Sequence, residues 1–355
     1  MKKTFSKILL LLFVTSIISA CAMGPKVVEK QKRFFWPPEP DVPRIEWIAS
    51  YFGDTDVKEK TFVSEIVGTD VNVRLKRPVD VAGDGEGRFV VSDQVNMQAF
   101  FFDLNKRTVT LLGNEGGGDS GIRKPSGVSV DADGNFYVAD TVTSKVYVVN
   151  SKNSVLRVFD FSDRMKSIAG ICVDRTRKRL LMTDFKEKNV LIYTLDGEYV
   201  STVNGNGYYT SPISVAVESD GTIVIADAYN VTVVRFSADG SKFISSFGQR
   251  GDTPGSFALI VGLAVDSEDH IYVTDAKLHN VSIFDKDGNS LMTIGGKHSV
   301  LSGNFGVGGF LIPQGIFIDK NDRIYVADSQ NSRVQIFQYL NNRYLAEHPI
   351  EAPVR

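Results

Sequence analysis

The sequence predicts an all-β fold, a six-bladed β-propeller with four antiparallel strands per blade. Two observations carry that prediction. The first is a four-residue phrase, Tyr-Val-Ala-Asp, at 137–140 and again at 325–328, with diverged copies ending at Asp93, Asp184, Asp227 and Asp275. The six copies, which include Asp140 and Asp328, recur at intervals of 43 to 53 residues. A period of that length, built from short β-rich segments, is the mark of a propeller with one blade per repeat. The second is that one repeat divides into four strands.

Residues 125–160 show the division. The stretch 125–131 alternates and is rich in valine, so it predicts a first strand. Asp131 to Asn135 form a turn, because Gly134 and Asn135 tolerate positive φ. The second strand is 136–140, the third 145–149 and the fourth 155–159. The last repeat has no fourth strand of its own, and two segments compete to supply it. Residues 44–53 resemble the fourth strands elsewhere, such as 242–248, while 343–347 follow the last repeat directly. An open ring leaves sheet edges exposed. The prediction is therefore that 44–53 completes the last blade from the N-terminal side, with the C-terminal segment beside it or adding an edge.

The pattern Pro-x-Gly-Val-x-Val-Asp (125–131), then Tyr-Val-Ala-Asp, then Arg-Val-Gln-Ile-Phe (333–337), resembles the NHL repeat. So do glycine-rich links such as 251–257. The resemblance spans about residues 44–345 and implies a six-bladed NHL-type propeller. Ile168 and Ile260 depart from it by replacing the repeat proline, and the repeat around 78–103 is loosely kept.

The N-terminus reads as an address. Lys2, Lys3 and Lys7 precede an apolar run from Ile8 to Ile18, too short to span a bilayer and suited to a signal-peptide core. It ends Ile18-Ser19-Ala20-Cys21, which resembles the lipobox of bacterial lipoproteins. That resemblance implies cleavage before Cys21, lipid attachment to Cys21, and, with Ala22 next, sorting to the outer membrane of a diderm bacterium. A lipid of several chains anchors firmly. The domain plan is then a signal peptide over 1–20, a lipidated tether over 21–43, the propeller over 44–345 and a tail over 346–355. Proline-rich 37–40 suits an extended spacer. The aromatic triplet Phe34-Phe35-Trp36 either packs on the side of the propeller or docks at the membrane interface or a partner.

A formal net charge of −2 gives no global pull toward nucleic acid, so none is expected as a partner. The two cysteines, Cys21 and Cys172, do not suggest a pair or a thiolate zinc site. Cys172 occupies a position held by Ser129, Ala216 and Ala264 in sister repeats, and reads as a small buried residue.

Five sets of residues are candidates for chemistry. The repeat aspartates Asp93, Asp140, Asp184, Asp227, Asp275 and Asp328 could form a ring of carboxylates on a cation, or could each accept backbone N–H groups in the following turn. The second reading is preferred, since a residue present in every blade answers a need of every blade. Gly116 to Gly121 match a dinucleotide-loop pattern but lead into a strand, not a helix, so they are read as an inter-blade link. The four histidines (His270, His279, His298, His348) are placed too differently to converge on a metal. There is no Gly-x-Ser-x-Gly nucleophile elbow. Last, Arg77, Arg123, Lys124 and Lys166, with Arg74 and Lys76, precede the first strands of the first three blades, while Phe185 and Tyr229 follow repeat aspartates. Propeller connectivity puts all of these on one face, and arginine and aromatics are the types enriched at binding hot spots. The functional expectation is a non-catalytic module at the cell envelope that binds a protein, a peptide or a glycan through that face and needs no cofactor. The alternative is a metal-dependent hydrolase or lyase, lactonase-like or amidating-lyase-like, with its site at the channel mouth.

Overall fold

The computed structural model describes residues 33–58, 73–113, 121–203, 205–302 and 306–350. The chain opens with β1 (Phe34–Trp36) and β2 (Ile45–Tyr51), which belong to the last blade. Blade 1 is β3 (Pro78–Gly83), β4 (Arg88–Asp93), β5 (Gln98–Asp103) and β6 (Thr108–Leu111). Blade 2 is β7 (Pro125–Val130), β8 (Phe136–Asp140), β9 (Lys145–Val149) and β10 (Val155–Asp160). Blade 3 is β11 (Ile168–Asp174), β12 (Arg179–Asp184), β13 (Asn189–Thr194) and β14 (Tyr199–Thr202). Blade 4 is β15 (Pro212–Val217), β16 (Ile223–Asp227), β17 (Thr232–Phe236) and β18 (Phe243–Phe247). Blade 5 is β19 (Ile260–Val265), β20 (Ile271–Asp275), β21 (Asn280–Phe284) and β22 (Ser290–Gly295). Blade 6 takes β23 (Pro313–Ile318), β24 (Arg323–Asp328) and β25 (Arg333–Tyr339), then β2 and β1.

All six sheets are antiparallel, five of them meanders of consecutive strands, and the first strands contact one another in turn around the ring, β23 closing on β3. These inner strands surround the channel. In each blade the residue that opens the inner strand lies opposite the repeat aspartate, as Pro78 does Asp93 and Pro125 does Asp140. Proline fits there because the first residue of a strand need not donate to the ladder. Ile168 and Ile260 fill the same position fully buried, so the need is apolar bulk rather than proline itself. The core lies between blades, in six apolar clusters that each draw on two neighbouring sheets.

A second period runs through the repeat phrase. The residue before the aspartate is Ser92, Thr183 or Thr274 in blades 1, 3 and 5, and Ala139, Ala226 or Ala327 in blades 2, 4 and 6. Each hydroxyl donates to a backbone carbonyl of the next inner strand. Ser92 reaches Ser126 at 2.6 Å, Thr183 reaches Ile213 at 3.3 Å and Thr274 reaches Gln314 at 2.5 Å. Such bonds satisfy inner-edge carbonyls that have no strand partner.

The N-terminal segment closes the ring. β2 pairs with β25 along Ile45 to Tyr51, with a bulge between Trp47 and Ala49. The C-terminal segment does not add an edge. Asn342–Glu347 form a short helix, α1, capped by the Asn341 side chain, which accepts from the Tyr344 N–H at 2.7 Å. The added edge is β1, which pairs with β2 and seats the aromatic triplet on the propeller wall. Trp36 meets Phe337 edge-on at 5.8 Å and lies so close to Gly308 that a Cβ there would sit 2.1 Å from the indole. Phe34 meets Trp47 at 6.1 Å. Trp36→Ala is expected to cost about 2 kcal/mol, roughly half the loss for a fully buried aromatic. A lowered melting midpoint checks this, and an unchanged one would mean that β1 adds nothing to closure.

Candidate functional site: the channel and its mouths

The six repeat aspartates are all fully buried at the ends of their second strands. Asp140 shows their task. Its Oδ2 accepts from the Arg123 and Lys124 N–H groups at 2.5 and 3.0 Å, and its Oδ1 from Val142 and Thr143 at 2.9 and 3.0 Å. One carboxylate thus pins the link entering the blade to the turn leaving its second strand. Burial alone would raise the Asp140 carboxyl, but the four backbone bonds outweigh it and hold it below the usual range. Asp93, Asp184, Asp227 and Asp275 bind backbone on both sides in the same way. Asp328 differs: it accepts from Leu311, and its other partners are the side chains of Asn331, Arg333 and Gln335.

Because those carboxylates bind the Arg77, Arg123, Lys124 and Lys166 backbone amides, these four residues sit on the face where the repeat phrase ends. Phe185 and Tyr229 follow Asp184 and Asp227 onto the same face, 49% and 69% exposed. Val95 and Val142, from the matching turns of blades 1 and 2, are exposed beside them. The Lys166 ammonium donates to the Ser162 carbonyl at 3.1 Å, and Arg250 reaches the Tyr229 carbonyl at 3.3 Å. Lys124 and Phe185 also line a cavity of about 300 Å³ at the channel mouth, with Gln94, Thr141, Ser167 and Gln314. Arg77, Arg123, Lys166 and Tyr229 lie outside that lining. Cys21 and residues 114–120 of the glycine-rich link lie outside the described residues.

A second cavity of about 300 Å³ occupies the other half of the channel, and Asp80, Gly170 and Ser214 line both. Asp80 therefore stands at the waist. The third position of the inner strand is Gly127, Gly170, Ser214, Gly262 or Gly315 in the other blades. Its Oδ2 accepts from Val128 of blade 2 at 2.7 Å and its Oδ1 from Val81 at 2.9 Å. It lies over Gly315 of blade 6, where a Cβ would come within 1.9 Å of Oδ1. Although it touches channel space, protein surrounds it, and burial pushes its carboxyl up to about 7 against the two backbone bonds.

Two more residues break the symmetry of this lower cavity. Phe317 stands where the other blades have Ala82, Ser129, Cys172, Ala216 and Ala264. Arg175, from the first turn of blade 3, lays its guanidinium 5.4 Å from the centre of the Phe317 ring and donates through Nε to the Val130 carbonyl at 3.1 Å. The Cys172 thiol is pushed by burial up to about 12, so it stays neutral and acts as an apolar wall. Asp80, Arg175 and Phe317 are absent from the sequence-based candidates. For Asp80 and Phe317 the signal is visible once the six inner strands are aligned, because each puts a large side chain where its sisters are small; Arg175, in the turn after β11, has Lys320 as its counterpart in blade 6 and carries no such signal.

The histidines do not share a site. His270 bonds Asp266 at 2.9 Å at the start of β20, and this bond, against burial, raises its pKa. His279 accepts from the Ile312 N–H at 3.0 Å beyond the other end of β20, and burial lowers its pKa. His298 lies in the link before blade 6, and His348 stacks on Tyr344 after α1. Among the described residues, no group of three or more His, Cys, Asp or Glu is placed to hold a metal ion.

Residues 310–337 match the NHL repeat. The matched stretch runs from the end of the link before blade 6 through most of β25. No curated protein matches the chain in sequence. Solved structures resemble it in fold. A protein of unknown function from Bacteroides thetaiotaomicron aligns with a TM-score of 0.59 at 17% identity, over 75% of this chain and 70% of that one. A chain in a nidogen/laminin complex aligns at 0.55 and 15% identity, over 81% of this chain and 95% of that one. A gluconolactonase from Xanthomonas campestris aligns at 0.54 and 14% identity, over 82% of this chain and 98% of that one.

Proposed function

We propose that this chain is exported, anchored through lipid on Cys21 in the cell envelope, and binds a protein partner with the face on which the repeat phrase ends. The observation that carries the reading is the composition of that face. Phe185 is half exposed and also lines the mouth cavity, Lys124 shares that cavity, and Arg77, Arg123 and Lys166 stand on the same face of an otherwise mildly acidic protein. Aromatics and arginine around a recess are the residue types that anchor partners, and a polar, charged rim sets orientation and encounter rate. The blades hold these loops through buried carboxylates, so binding orders few residues and loses little entropy. A propeller of similar fold occurs in a nidogen/laminin complex, and another is a gluconolactonase, so the fold accommodates binding and catalysis alike. The face favours the binding role.

The test compares Phe185→Ala and the double variant Arg123→Ala/Lys124→Ala with the native chain. Each should weaken recovery of the crosslinked envelope partner at least tenfold and leave the melting midpoint unchanged, because these side chains are not in the core. Recovery equal to native in both variants would remove this face as the binding site.

A further inference from the structure

Among the described residues, the lower cavity contains an acid, Asp80, and a base, Arg175, that form an ion pair neither with each other nor with any other group. Asp80 forms no ion pair among the described residues, and its carboxylate receives two N–H groups, against the four that Asp140 receives. A carboxylate offers about four acceptor sites, so roughly half its capacity is open. Arg175 likewise forms no ion pair there, and among the described residues its only hydrogen bond is the one from Nε to Val130. The other charged groups lining this cavity have partners. Asp174 pairs with Arg179 at 2.9 Å, Glu218 with Arg235 at 2.6 Å, and Asp266 with His270 at 2.9 Å. Asp319 accepts from the Tyr325 hydroxyl at 3.0 Å, Asp322 accepts from Ser267 at 2.8 Å, and Lys320 pairs with Glu86.

We propose that this cavity binds a small zwitterion, a molecule with an ammonium and a carboxylate on one short skeleton, the ammonium on Asp80 and the carboxylate on Arg175. The guanidinium can give a carboxylate two parallel N–H bonds through its Nη atoms while Nε keeps Val130. The ammonium supplies the counter-charge that a poorly solvated carboxylate lacks. Phe317, Ala216, Ala264 and the neutral thiol of Cys172 give part of the lining an apolar surface that a short skeleton can lie against. A volume of about 300 Å³ falls at the small end of ligand sites and suits a free amino acid or a dipeptide. Asp80 also lines the mouth cavity that holds Lys124 and Phe185, while Arg175 and Phe317 line only the other half of the channel.

The full-length chain is titrated calorimetrically with each of the twenty protein amino acids and with the dipeptides Gly-Gly and Ala-Ala. At least one should bind, and its N-acetyl and its carboxamide derivatives should each bind at least tenfold more weakly. Asp80→Asn and Arg175→Gln should show the same loss with the parent zwitterion. If no member of the panel binds, Arg175 and Phe317 merely close the channel and the proposal is overturned. Equal binding of the blocked derivatives overturns it too. That comparison uses the native chain, so it decides even if a variant fails to fold.

Discussion

Replacing Arg333 with methionine is expected to destabilise the protein by about 3–5 kcal/mol, the usual loss when one partner of a buried ion pair is removed. Among the described residues, Arg333 is one of the largest fully buried side chains. Its Nε donates to Asp328 Oδ2 at 2.7 Å, and its Nη2 donates to the Gly306 and Gly309 carbonyls at 3.1 and 2.8 Å. Gln335 adds a bond to the same Gly309 carbonyl at 2.8 Å, and Asn331 joins Asp328 to the His298 carbonyl, each at 2.9 Å. This network ties the link between blades 5 and 6 to the blade that closes the ring. Methionine fills a similar volume but leaves the Asp328 carboxylate with no counter-charge, in a site where burial already raises its pKa. The deficit should therefore shrink in acid, as Asp328 takes up a proton. Chemical denaturation of Arg333→Met, Asp328→Asn and the double variant checks this. The double variant should be less destabilised than the sum of the singles. Strict additivity would mean that the two side chains act independently.

The parts of the fold legible in sequence were those that every blade needs. Asp140 and its five sisters mark the blades because each pins its own loops, and a local task repeats with the chain. β2 was legible for a similar reason, since residues 44–53 look like an outer strand wherever they are placed. The C-terminal segment was harder. Its Tyr344 resembles a strand residue, but Asn341 supplies a helix cap, and Leu345, Ala346 and Glu347 are good helix formers. β1 was obscured by the prolines that follow it, and its pairing depends on β2 being in place. The basic and aromatic face could be assembled from connectivity alone, because loop positions follow from strand order. The waist of the channel could not. Asp80 reads as one more acidic residue in a loosely kept repeat until Val128 and Gly315 close around it from blades 2 and 6.

Asp80 is expected to lower the protein's stability progressively as pH rises from about 4 to about 7. In the unfolded chain this carboxyl has its ordinary value of 3.8, while in the fold burial raises it to about 7. Between those values the folded state holds a proton that the unfolded state has released. The fold is thus favoured below the lower value, loses that advantage progressively, and is level again above the upper one. A shift of that size corresponds to about 4 kcal/mol, an upper bound because the side chain still touches channel space. Other groups titrate in the same window, so the quantity to measure is the stability of Asp80→Asn minus that of the native chain, at pH 4.5 and pH 8. Asparagine stays neutral throughout, and the difference should move in the variant's favour at the higher pH. A difference independent of pH would show that channel water solvates the carboxylate fully. The same ionisation bears on the ligand proposed for this cavity. An ammonium seated on Asp80 favours the ionised form, so binding near pH 7 should release a proton, and the apparent binding enthalpy should change with the ionisation enthalpy of the buffer. A ligand that lowers this pKa recovers part of the stability the ionised carboxylate costs above pH 7. The stabilisation on binding should therefore be larger at pH 8 than at pH 5, and it should lose that dependence in Asp80→Asn.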